Sequence, residues 1–157
     1  DPGKGGGMAY RRPTGEIVLR RFTTESDFIS FVSPLGSVDR TSVAIVEDVP
    51  AYVSAATSNA SSFKLGYNFG FEVGALRAMR VPVHLITPKK WQAGLRGLKP
   101  KMGTTERKRV LKDNAIRLYP LVDGITNATA DALLLLDWHL NQFTGADGSS
   151  VRGEGRS

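Results

Sequence analysis

The run Ser42-Val43-Ala44-Ile45-Val46 limits what this chain can fold into more than any other stretch. A strand with one wet face alternates apolar and polar residues, whereas this one is apolar almost throughout. It reads as a central strand covered on both sides, so the fold must place helices on both faces of a sheet. The run stops at Glu47-Asp48. An acid therefore stands at the C-terminal end of the most apolar strand.

The flanking segments complete an α/β pattern. Residues 3–7 form a glycine-rich turn leading into Met8 to Arg12, and Pro13-Thr14-Gly15 is a hairpin turn before a strand over 16–22. Thr24, followed by Glu25, Ser26 and Asp27, starts a helix. Phe28, Phe31, Val32 and Leu35 form its apolar face, and Gly36 is its expected end. Residues 61–80 read as a long helix in which Gly66, Gly70, Gly74 and Ala78 recur at spacing four. Each interior glycine costs about 1 kcal/mol of helix propensity, so a stripe of them points to close approach of another backbone. That neighbour is either a second copy of the chain or the protein's own sheet. A strand over 81–87 follows, closed by Pro88, and then a basic loop with a short helical piece over 89–103. Thr104 or Thr105 caps a helix stopped by Pro120, and a last helix runs from near Asn127 to about Phe143. The expectation is one α/β domain over 1–143. It comprises an N-terminal antiparallel hairpin, a mixed sheet and helices on both faces, with a disordered polar tail over 144–157.

Composition narrows the chemistry. The chain has no cysteine, which excludes disulfides, zinc–thiolate sites and thiol nucleophiles and is compatible with a reducing cytosol. It has two histidines, so a metal site would be built mostly of carboxylates, which suit magnesium or manganese. A net charge of +6 favours an anionic partner, nucleic acid first. No stretch approaches the ~18–20 apolar residues of a membrane span, and the opening Asp-Pro-Gly is unlike a signal peptide.

Three acids stand out by position: Asp1 before the glycine turn, Glu47 at its strand end, and Asp131 one turn inside an apolar helix. A carboxylate in such surroundings is costly to desolvate unless it is paired. Three converging at one end of a sheet would repel one another unless a divalent cation lay between them. Each also has a plainer reading: a turn residue, a solvent-facing strand end, and an early-turn acid favoured by the helix dipole.

In this pattern the chain resembles the RuvC family of junction resolvases, particularly its small phage-like and organellar relatives. The likeness extends to about Phe143 and is carried by six segments in order: 1–7, 43–47, 69–76, Thr87-Pro88-Lys89-Lys90-Trp91, 112–120 and 130–134. The resemblance implies an RNase H-like fold and a homodimer that cuts opposed strands of a four-way junction. It implies dependence on Mg²⁺ or Mn²⁺, with two ions per site held by Asp1, Glu47 and Asp131. It further implies a bacterial or phage-infected cytoplasm, or an organelle. Where the family has a further acid or imidazole three residues before the last aspartate, this chain has Ala128, beside Asn127, itself a natural helix cap. Where members carry an aromatic three residues after the second acid, it has Pro50, with Tyr52 the nearest ring. The family's first aspartate ends an apolar strand, so the domain is expected to lack that strand as it stands.

Lys89, Lys90, Arg96, Lys99, Lys101, Arg107, Lys108, Arg109 and Lys112 fall within 24 positions, flanked by Trp91. They read as a phosphate-tracking surface, the alternative being an ordinary solvated face. By analogy with the family, Lys101 and Lys108 would lie near the scissile phosphate, and Lys4 and Tyr52 would add DNA contacts. His84, His139 and Trp138 read as packing or surface residues. Two other functions stay open: an RNase H-like nuclease acting on other branched or hybrid substrates, and a junction-binding protein without catalysis.

Overall fold

A computed structural model describes residues 6–38, 42–48 and 58–144. Asp1, Lys4, Pro50, Tyr52 and the tail beyond 144 lie outside these. The element order is β1 (Gly7–Arg11), β2 (Ile17–Arg21), α1 (Glu25–Val38), β3 (Ala44–Glu47), α2 (Asn59–Ala78), β4 (Val83–Ile86), α3 (Pro88–Trp91), α4 (Thr104–Leu118) and α5 (Ala130–Thr144).

The expected hairpin forms. β1 and β2 pair antiparallel with Ala9 opposite Leu19. Gly15, at φ 90°, closes the three-residue loop in the left-handed region, which a side chain would disfavour. Arg12 and Glu16 bracket the loop with a backbone hydrogen bond and a salt bridge, each 2.8 Å. The Thr24 start also holds: its hydroxyl accepts from Asp27 N at 3.1 Å, while Asp27 Oδ2 accepts from the Thr23 and Thr24 amides. This reciprocal cap satisfies amides that the first turn would otherwise leave open, and those bonds, Thr23's amide first, hold the Asp27 carboxyl below its ordinary value.

β3 and β4 pair in parallel, Glu47 opposite Ile86. Among the described residues the strands form two separate pairs, β1–β2 and β3–β4, rather than one continuous ladder. A cavity of about 480 Å³ lies between the pairs, lined by Ala9, Ile45, Val46, Glu72, Leu76 and Leu135 among others. The core divides accordingly. One cluster gathers Leu19, Trp91, Leu111, Ala115 and Leu133 to Leu135. The other gathers Phe22, Phe28, Val32, Val46, Val73, Leu76 and Val81.

Three boundaries differ from expectation, and α4 is preceded by Gly103 rather than capped by Thr104 or Thr105. α1 continues through Pro34 and Gly36 to Val38; a glycine weakens a helix without terminating it. α2 begins at Asn59 because Ser58 Oγ accepts from Ser61 N at 3.2 Å. α5 begins at Ala130, and its cap is Thr126 rather than Asn127. The Thr126 hydroxyl accepts from the amides of Ala128 and Thr129, and its carbonyl accepts from Ala130 N at 3.0 Å.

Among the described residues the glycine stripe of α2 does not pack on the protein's own sheet: a Cβ added at Gly66, Gly70 or Gly74 meets nothing within 4 Å. The helix buries Glu72, Val73 and Leu76 instead. Gly7 is the opposite case: a Cβ there would lie 2.1 Å from the Ala128 carbonyl oxygen and 2.6 Å from Thr129 Cα. The start of β1 therefore runs directly against the turn that launches α5.

Candidate metal and nucleic-acid site

That contact helps place Asp131, which stands in the first turn of α5. The helix turns its apolar residues Ala132 to Leu135 into the core, and Asp131 beside them is half-buried. Asp131 Oδ1 is buried and has no hydrogen-bond partner among the described residues. Burial pushes this carboxyl up to about 6, and the charge of Glu47 adds to the rise; Lys108 and Arg107 oppose it. These opposing charges bring four of the residues singled out in the sequence into one electrostatic neighbourhood.

Glu47, at the end of β3, is half-buried. Its Oε2 accepts a hydrogen bond from the indole Nε1–H of Trp91 at 2.9 Å. Parallel pairing with β4 fixes the backbone here, since Asp48 N donates to Ile86 O at 2.9 Å. Asp1, the third expected ligand, lies outside the described residues, as do Lys4 and Tyr52. Among the described residues no group of three or more acids and histidines is assembled. Ala128 and Asn127 form the turn before α5, and neither supplies a carboxylate there.

The donor set still fits a hard divalent cation. An unpartnered buried carboxylate oxygen beside a second carboxylate is unfavourable alone and is relieved by a cation between them. Glu47 and Asp131 are the described residues that would hold it.

Of the basic residues, Arg107 and Lys108 act on Asp131. Lys89 and Lys90 are exposed on α3, and Lys90 Nζ sits 5.4 Å from the Trp138 ring centroid. Lys99, Lys101, Lys108 and Arg109 are exposed, and Lys112 is half-buried on α4. Arg107 is half-buried and donates to Gln92 Oε1. Lys101 has φ 61°, a left-handed conformation costing a non-glycine residue about 1 kcal/mol. Among the described residues none of the nine is held in a salt bridge, which leaves their charge for an anion. Of the two lysines expected near the reacting phosphate, Lys108 is felt by Asp131; Lys101 is not among the charges acting on it.

Two residues matter more than their sequence context indicates. Trp91 is not a flank of the basic surface: it is 2% exposed, inside the core, and bonded to Glu47. Asn114, in the middle of a charged helix, is buried. Its amide donates to Arg96 O and Val110 O at 2.8 Å, and its oxygen accepts from Arg96 N at 3.1 Å. It staples the basic loop to α4. His84 is exposed on β4. His139 is half-buried on α5, its imidazole held below the ordinary value by burial and then by His84. Trp138 is half-buried against the first core cluster.

No family model matches this sequence, and no curated protein matches it. Solved structures do. The chain is similar to T. thermophilus RuvC in complex with a Holliday junction substrate, at TM-score 0.56 and 14% identity over 91% of this chain and 88% of that one. It is likewise similar to a second Thermus thermophilus RuvC structure, at TM-score 0.53 and 16% identity, covering 88% and 89%. The chain therefore shares the α/β fold of these RuvC structures.

Proposed function

We propose that this protein is a divalent-metal-dependent endonuclease that cuts branched DNA at four-way junctions. The observation that carries the proposal is the buried Oδ1 of Asp131, without a hydrogen-bond partner among the described residues, within reach of the charges of Glu47, Lys108 and Arg107. The likeness to a RuvC solved with a Holliday junction supports the substrate class.

In this reading Asp1, Glu47 and Asp131 hold Mg²⁺ or Mn²⁺, two ions per site. A bound cation supplies an activated water and stabilises the leaving 3′ oxygen. The chain's own groups do the rest. Asp131 and Glu47 offer anionic oxygens at a fixed place, and Arg107 and Lys108 limit the repulsion between them. Lys108, with Lys101 on its loop, faces the phosphate being cut. Lys89, Lys90, Arg96, Lys99, Arg109 and Lys112, with Lys4 and Tyr52, follow the DNA arms by charge and shape rather than by sequence.

Two opposed cuts require two sites. The exposed face of α2, with Gly66, Gly70 and Gly74 beside the stacked rings of Phe63 and Tyr67, is the proposed contact between two copies. Phe63 is 74% exposed in the single chain, a position that a partner would cover.

The test is a cleavage assay on a labelled immobile four-way junction, a matched duplex and an RNA–DNA hybrid, with Mg²⁺, Mn²⁺ or EDTA. Paired nicks in the junction alone, lost with EDTA and in Glu47→Gln, are the expected result. Equal cutting of all three substrates would remove the junction reading. Junction binding without cleavage under either metal would remove the nuclease reading.

A further inference from the structure

The Trp91–Glu47 hydrogen bond joins residues 44 positions apart and is the one polar contact of an otherwise apolar side chain. Trp91 ends α3, whose start is set by Pro88 after Thr87. Its ring packs in the cluster with Leu111, Ala115, Leu133 and Leu134, and it is 2% exposed. A ring so enclosed has little freedom, so its N–H points in one direction. Burying an indole N–H without an acceptor would cost about 1–3 kcal/mol, and the acceptor here is a carboxylate, the stronger kind of partner.

The bond commits Oε2 of Glu47 at 2.9 Å and leaves Oε1 as the oxygen available for a cation. The carboxylate is thereby turned and held from the side away from solvent. Its charge already acts on Asp131, whose Oδ1 is buried and unpartnered among the described residues. The held carboxylate of Glu47 and the buried oxygen of Asp131 form a preorganised pair, whereas an unrestrained glutamate at a strand end would sample several rotamers.

We infer that Trp91 is a positioning residue for metal binding: its indole N–H aims the Glu47 carboxylate at the place Asp131 faces. The inference rests on the reading of Glu47 and Asp131 as cation ligands. It adds to that reading a specific residue outside the ligand set, through which the core determines metal affinity. An outer partner of this kind is typically worth 10–100-fold in metal affinity.

The chain has two tryptophans, so a ¹H–¹⁵N spectrum of the full protein holds two indole signals, assigned with Trp138→Phe. Titration with Mg²⁺ should shift the Trp91 indole signal, and that response should vanish in Glu47→Gln. By calorimetry, Trp91→Phe should bind Mn²⁺ 10–100-fold more weakly than the wild type while unfolding cooperatively. If Trp91→Phe is poorly folded, the wild-type indole response decides. A wild type that binds Mg²⁺ with no movement of the Trp91 signal would overturn the inference and leave the metal site standing. A folded Trp91→Phe with unchanged Mn²⁺ affinity would do the same. A wild type that binds no divalent cation would remove the metal reading itself, and this inference with it.

Discussion

Gly7→Ala replaces an α-hydrogen with a methyl group at the point where the hairpin meets the candidate site. The added Cβ would stand 2.1 Å from the Ala128 carbonyl oxygen and 2.6 Å from Thr129 Cα. Ordinary contacts lie near 3.5–4 Å, so one backbone must retreat by more than about 1 Å. Both obstructing atoms are main chain, and neither can rotate away. Thr126 also ties the obstructing segment down, through its hydroxyl bonds to the Ala128 and Thr129 amides. Overpacking of this kind costs about 1–3 kcal/mol, and the absence of a flexible neighbour puts Gly7→Ala at the upper end. For a chain of this size each kcal/mol lowers Tm by about 2–4 °C, giving a fall of roughly 6–12 °C. The assay is thermal unfolding by circular dichroism in EDTA, with Gly70→Ala as the contrast. A Cβ at Gly70 meets nothing within 4 Å, and replacing an interior helical glycine with alanine gains up to about 1 kcal/mol. At concentrations where the protein is monomeric, Gly70→Ala should therefore melt slightly higher than the wild type. A Gly7→Ala variant melting within 2 °C of the wild type would refute the claim that β1 is seated against the start of α5.

Glu72 is 3% exposed, its Oε1 has no hydrogen-bond partner among the described residues, and burial pushes its carboxyl up to about 7. A carboxyl raised above its unfolded value of about 4.5 favours the native state while protonated. That advantage is full below pH 4.5 and lost as pH rises through 7, by at most about 3 kcal/mol. Glu72→Gln should thus melt higher than the wild type at pH 8 and nearly equal to it at pH 4.5; equal melting at both would show that Glu72 is not desolvated. Asp131 follows the same sign with a window from 3.8 to about 6, so Asp131→Asn should melt higher than the wild type in EDTA at pH 8. Added Mg²⁺ should stabilise the wild type and not Asp131→Asn; stabilisation of both would place the ion elsewhere. Replacing Lys89 and Lys90 together by alanine should weaken junction binding and reduce the slope of log K against log salt by up to about 2. An unchanged slope, read by fluorescence anisotropy across salt concentrations, would take α3 off the DNA path.

What could be read from the chain and what could not divide along one physical line. Thr24 with Asp27, the Pro13-Thr14-Gly15 loop and the apolar run ending at Glu47 are local signals, each carried by residues a few positions apart, and all three appear in the structure. Helix ends proved less certain because several polar residues compete for each cap. Thr126 and Asn127 are both able to cap, and the hydrogen bonds of Thr126 to Ala128 and Thr129 decided it. Trp91 and Asn114 were misleading for a different reason. Each sits among lysines and arginines, so local composition describes a wet surface, while their hydrogen-bond partners Glu47 and Arg96 are 44 and 18 positions distant. The same holds for the glycine stripe, whose spacing announced a close contact but carried no information about which side of α2 the protein's own core would use. Glu47 was legible as a candidate because a buried strand that ends in an acid is unusual within a few residues. What makes it more than a strand-end acid is the indole behind it and the unpartnered carboxylate beside it. Those neighbours come from α3 and α5, which sequence pattern can place on helices but cannot bring together. A site assembled from the ends of three elements is visible in sequence only as separate oddities; its chemistry resides in the distances among them.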